Sequence, residues 1–186
     1  MEVLEELGEW SKVTHLVVEE GVVPKRTPKV MLAMCCASYV VTTAWLRDCL
    51  EAGEVLPVIS RVDPKVTKHS EARKRIATES LERSLALREA GKHILSGFSI
   101  SIFKNIAGKK APLLEELQCM VEGAGGVWLG EGLPTTTKVD VKNSIIITSD
   151  PCTSSQRREL KSSGEGVTPK TTTWLFDTFM TQQLDI

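Results

Sequence analysis

Two rhythms of hydrophobic positions alternate along this chain. Short apolar runs rich in β-branched residues read as strands, and apolar residues three and four apart read as helices. Over residues 1–10, Val3, Leu4 and Leu7 share one face of an acidic stretch, which predicts an amphipathic helix ending near Gly8. Thr14 to Val18 is apolar and predicts a strand buried on both faces. A basic loop over 21–28 leads into 29–37, where Val30, Met31, Leu32 and Met34 give a helix apolar nearly all round. Val40-Val41 predicts another buried strand, after which Thr42 or Thr43 caps a helix holding Ala44, Trp45, Leu46, Cys49 and Leu50 and ended by Gly53.

An extended stretch with two prolines, 56–64, marks a boundary. From 71 to 90 charges alternate around one apolar seam of Ala77, Leu81 and Leu85, which predicts a helix packed between two units. Its Arg73-Lys74-Arg75 triplet reads as a solvated face. The second half begins with a strand from His93 and Ile94 that runs into a tight turn at Ser96-Gly97. A helix over 112–122 stops at the glycine-rich 123–126, and strands follow at 127–129 and 144–148, separated by a polar loop. A short basic helix over 154–162, a turn at 164–166 and a helix over 171–179 carrying Trp174 complete the chain.

The halves repeat. One constant offset lays Trp45 on Trp174, Leu46 on Leu175, Asp48 on Asp177 and Thr42-Thr43 on Thr171-Thr172. The same offset lays Leu16-Val17-Val18 on Ile145-Ile146-Ile147 and sets Lys29 opposite Arg158. Two elements that keep one offset indicate a duplicated unit. Alternating strands and helices within each unit predict an α/β fold of small parallel sheets flanked by helices. The expected division is 1–60 for the first unit, 61–91 for a linker with a helix and 92–186 for the second.

Charge and cysteine content then narrow the chemistry. A net charge of −1 argues against a protein that coats nucleic acid or anionic membrane, so any anion recognition must be local. No apolar run is long enough to span a bilayer. The five cysteines form no CxxC pair and are expected to be reduced and mostly buried. No histidine is placed to activate a cysteine nucleophile, no metal-ligand set is present, and the glycine run lacks a dinucleotide-binding spacing. No cofactor is expected. Trp45 and Trp174 are read as core residues, each on the apolar face of its helix, and Trp10 and Trp128 as packing residues.

Arg26-Thr27-Pro28-Lys29 is the local basic site: cations beside a helix start, where unpaired N–H groups and the positive end of the dipole favour an anion. Together with Ser96-Gly97, Gly125-Gly126, Thr14-His15-Leu16-Val17, and Trp45 followed four residues on by Cys49, it makes the chain resemble a tandem BRCT module of the DNA-damage checkpoint-mediator type. The resemblance covers nearly the whole chain.

That resemblance implies a non-enzymatic nuclear module that binds a phosphoserine peptide and recruits partners in DNA-damage or chromatin signalling. It implies Lys29 and Thr27 at the phosphate, and Arg26 as the clamp near the residue three places after the phosphoserine. Chromatin association would come through the phosphorylated partner, with no membrane and no direct nucleic-acid contact. In the family a Ser or Thr and the following Gly at the end of the first strand complete the phosphate site. Here the chain begins at the helix, so that strand and dipeptide are expected upstream and the first unit is expected to be truncated. Ser96, Gly97 and Arg158 form an alternative phosphate site in the second unit. Two other roles follow from the same resemblance: a phosphate-independent protein scaffold, or an accessory BRCT region of a larger DNA-repair enzyme.

Overall fold

A computed structural model describes residues 7–20, 26–59, 71–109, 111–133, 143–162 and 167–186. The chain enters through a 3-10 turn over Leu7–Lys12, which runs past Gly8 and replaces the helix end expected there, while residues 1–6 lie outside the described set. The first unit holds strand β1 (His15–Val18), helix α1 (Pro28–Cys36), strand β2 (Tyr39–Thr42) and helix α2 (Thr43–Ala52). β1 and β2 pair in parallel, from His15 opposite Tyr39 to Val18 opposite Thr42. Thr42 caps α2, its hydroxyl accepting from Trp45 N–H, and Gly53 ends that helix in the left-handed region. β1 is less enclosed than its apolar sequence implies. Among the described residues it has a strand on one side only, and Val17 stays 37 % exposed.

Helix α3 (Glu71–Glu89) leads to the second unit. There follow β3 (Ser99–Ile102), α4 (Leu114–Gly123), β4 (Val127–Glu131), β5 (Ser144–Thr148), α5 (Ser154–Ser162), β6 (Val167–Thr171) and α6 (Thr172–Thr181). The four strands are parallel in the order β4-β3-β5-β6. With a neighbour on each side, β5 is buried at every position.

One expectation is corrected here and one strand is added. The turn at 94–97 precedes β3 and does not end it. Ser96 accepts the His93 N–H on its hydroxyl and donates its own N–H to the His93 carbonyl, which folds this segment before the strand begins. β6 went unread because Pro169 and Lys170 interrupt its apolar pattern. At the end of the sheet order the missing proline N–H leaves no ladder partner wanting.

The repeat survives in the caps. Thr171 accepts from Trp174 N–H as Thr42 does from Trp45. Helix against helix, however, α1 aligns with α5 by their caps. Thr27 accepts from Val30 N–H and Thr153 from Gln156 N–H, each at 3.3 Å. Thr27 therefore matches Thr153 and Lys29 matches Ser155, not Arg158.

Helix α1 is apolar all round because it serves two cores. Val30 and Met34 pack with Val40 and Leu81. Met31, Leu32, Cys35 and Cys36 join the larger cluster of Leu117, Met120, the β5 isoleucines and Phe179. At roughly 1.5–3 kcal/mol per large apolar side chain buried, Met31 and Leu32 alone hold the units together more strongly than an exposed ion pair worth about 0–1 kcal/mol. Gly123 makes the close approach of α4 to α1 feasible: a Cβ there would stand 2.5 Å from Leu32 Cδ1.

α3 seals the other end of the junction. Ser84 Oγ donates to the Cys35 carbonyl at 3.0 Å, and Arg88 donates to the carbonyls of Cys36 and Ala37. Five residues earlier, Arg83 forks onto the Thr181 carbonyl at the end of α6, at 2.8 and 2.6 Å. These side chains satisfy carbonyls that a helix C-terminus leaves without partners. The side chains of residues 73–75 lie outside the described set. Cys35, Cys36 and Cys49 are buried, and burial pushes the Cys36 thiol up to about 11 and the Cys35 thiol higher still. Cys119 and Cys152 are half-buried.

Candidate functional site

Parallel strands joined by a helix place that helix's first turn beyond the C-terminal ends of the strands, and ligands of open α/β sheets bind there. In the first unit this edge is formed by the ends of β1 and β2 and by Arg26 to Lys29. Thr27 is extended, and its hydroxyl is committed as acceptor to Val30 N–H while its carbonyl takes Met31 N–H. Pro28 follows at the first helical position, where no donor is wasted. Lys29 is exposed, and no acid stands in the first turn of α1. Among the described residues its ammonium has no ion-pair partner. Thr27 and Lys29 are thus brought together at a positive helix end.

Arg26 turns to the other unit, where it pairs with Asp177 of α6. Both side chains are about half exposed, so the pair contributes about 0–1 kcal/mol. A competing carboxylate or peptide carbonyl can take the guanidinium from Asp177 at small cost. The cation is therefore held at the junction of the units without being locked there.

The alternative site is not assembled. Ser96 and Gly97 lie ahead of β3, at the N-terminal edge of the second sheet, and the Ser96 hydroxyl is occupied by His93 N–H. α5 starts past the C-terminal end of β5, and Arg158 is exposed on it. Ser96-Gly97 and the start of α5 are thus at opposite edges of the sheet.

The two tryptophans are half-buried, and Trp174 packs against the larger core cluster. The Trp45 ring stacks on His15 with centroids 5.2 Å apart, and its Nε1 is buried without a partner among the described residues. His15 also stacks on Tyr39, its register partner, at 4.9 Å. Burial lowers the His15 pKa from its ordinary value. Trp174 donates from Nε1 to the Asp185 carbonyl at 2.7 Å, with Lys170 Nζ over its ring at 5.3 Å. Each ring also carries a polar contact or a solvent edge that periodicity alone does not reveal.

Sequence reasoning missed Arg83 and Arg88. Both sit on a charged helix and read as solvated, since their partners are carbonyls far away in sequence. In the second unit β3 flanks β5 on the side away from β6; among the described residues no strand takes that place beside β1. No cluster able to hold a metal ion occurs among the described residues.

No family model and no curated protein matches the chain. A solved structure does. The crystal structure of the BRCT5-BRCT6 domains of S. pombe Brc1 superposes with a TM-score of 0.66 at 20 % identity, covering 95 % of this chain and 81 % of that one.

Proposed function

We propose that this chain, whose fold is that of a tandem BRCT module, is a non-enzymatic interaction module that binds a phosphorylated protein. The proposed division is 1–60 and 92–186 for the two repeats, with 61–91 between them. Lys29 supplies a point charge to the phosphoserine dianion, and the Thr27 hydroxyl and α1 N-terminus lie beside it. Arg26 clamps the peptide backbone or a carboxylate three residues downstream. The observation that carries this reading is the Arg26 to Asp177 pair, because it sets a half-exposed guanidinium between the repeats, three residues before Lys29 in sequence. Recruitment in DNA-damage or chromatin signalling, and a nuclear location, follow from the resemblance to checkpoint-mediator modules.

The test is titration with matched phosphorylated and unphosphorylated serine peptides that vary the residue at the third downstream position. Phosphate-dependent binding should be lost in Lys29→Ala, and discrimination at the third position should be lost in Arg26→Ala. Equal affinity for the two peptide forms would overturn the reading. It would favour a phosphate-independent scaffold or an accessory region of a repair enzyme, to which the flank of β1 without a neighbouring strand among the described residues lends support.

A further inference from the structure

An open sheet edge invites another strand, and proteins guard such edges with proline, lysine or a bulge. Both ends of the second sheet are guarded. β6 carries Pro169 and Lys170, and β4 carries a register shift against β3 and Gly130 at a φ of 85°, which spoil regular pairing. In the first unit β2 is buried at three of its four positions. β1 has neither protection. His15-Leu16-Val17-Val18 includes no proline, glycine, lysine or acid, its register with β2 runs unbroken, and among the described residues no strand lies on its other flank. An apolar edge of this kind is a liability in a free chain and is harmless only where another strand takes it.

The internal repeat shows what belongs there. β1 and β5 share the repeat offset, yet Ile146 is fully buried where Val17 is 37 % exposed. α2 and α6 share it too, and Phe179 is fully buried where its counterpart Leu50 is 74 % exposed. In the second unit one stretch of chain covers both positions. β3 pairs in parallel along β5, and Leu117, Met120 and Val121 of α4 join Ile146 and Phe179 in a single cluster. β3 is uncharged and half isoleucine, and those three α4 residues stand at i, i+3 and i+4 on one helix face. Val17 and Leu50 are thus two parts of one open seat, and what fits it is an apolar strand followed by an amphipathic helix.

We propose that the first unit is a strand-addition site, at which a segment of a partner protein pairs in parallel along His15 to Val18 and lays a following helix on Leu46 and Leu50. Backbone hydrogen bonds to β1 supply affinity, and the apolar seat selects the side chains. The segment it selects has an uncharged, β-branched strand and then apolar residues at helical spacing. Lys29 and Arg26 take no part, so this surface is independent of the phosphopeptide reading.

The test uses the full chain and, as probe, a synthetic peptide of residues 98–124 of this sequence, which holds β3 and α4 and carries no phosphate. Hydrogen exchange of the free chain is measured first. The amides of 15–18 that face away from β2 should exchange rapidly, and protection there without peptide would overturn the proposal. On titration, saturable NMR shifts at Val17 and Leu50 and slowed exchange over 15–18 are expected. Val17→Lys and Leu50→Glu, both at exposed positions, should each raise the Kd for the peptide roughly tenfold or more. A peptide with Ile100→Pro, which lacks a ladder donor, should lose binding. Absence of shifts at Val17 and Leu50, or unchanged affinity in both variants with the rest of the spectrum intact, would overturn the proposal. So would self-association of the chain without peptide that Val17→Lys abolishes, since it would assign the edge to a second copy.

Discussion

Replacing Arg88 by methionine keeps a long apolar stem against the junction and removes the guanidinium that closes the end of α1. Two charge-assisted hydrogen bonds, to the Cys36 and Ala37 carbonyls, disappear. At about 1.5–3 kcal/mol for each bond to a charged group, the loss is roughly 3–6 kcal/mol. The parent also carries a penalty, because Arg88 Nε is buried without a partner among the described residues, and removing it returns about 1–3 kcal/mol. The midpoints of these ranges leave a net destabilisation centred on about 2–3 kcal/mol. With an m-value of about 1–3 kcal/mol/M, the urea midpoint should fall by roughly 1–2 M. Arg88→Lys retains one donor direction but no fork, and should recover about half of the loss. His93 supplies an independent readout: burial lowers its pKa first and Arg88 second, so its titration should move upward in Arg88→Met. A loss below about 0.5 kcal/mol, or a lysine variant as stable as the parent, would refute the claim that the fork holds α1 to α3.

Two further outcomes are expected. Gly123→Ala should destabilise by about 1–2 kcal/mol in the same denaturation assay, because overpacking against the buried Leu32 costs roughly 2–3 kcal/mol and the gain in helix propensity returns about 1; a stabilised variant would show that α4 does not approach α1 as closely as described. His15 and His93 are both held below their ordinary value of 6.5, so between the two values the unfolded chain binds more protons than the folded one. Their contribution is complete above about 6.5 and is lost as pH falls through the depressed values. The thermal midpoint should decline over that window, and a His15→Phe, His93→Gln double variant that declines as steeply as the parent would contradict this.

Much of the fold was legible because its signals are local. The β5 isoleucines, the threonine caps before Trp45 and Trp174, and the apolar run of α1 each declare an element within a few residues. β6 was not legible, since Pro169 and Lys170 suit the end of a sheet and resemble a loop. The turn around Ser96 was placed on the wrong side of its strand because Ser-Gly is a turn signal without a direction. Chemistry and spacing coincide at Thr27 and Lys29, which is why the sequence singles them out as candidates. The match of Lys29 to Arg158 carries a strand offset into a helix and ignores a shorter connection before α5; the caps at Thr27 and Thr153 set the register.

Helix α1 also bears on how such a chain can be taken apart in evolution. Duplication suggests interchangeable parts, each able to be copied, lost or recombined on its own. Here Met31, Leu32, Cys35 and Cys36 belong by sequence to the first unit and by packing to the core of the second. A shuffled second unit would arrive with an open apolar face, and a shuffled first unit with half of its central helix uncovered. Sequence drift in α1 is thereby constrained from both sides, while Lys29, exposed in its first turn, remains free to change what it meets.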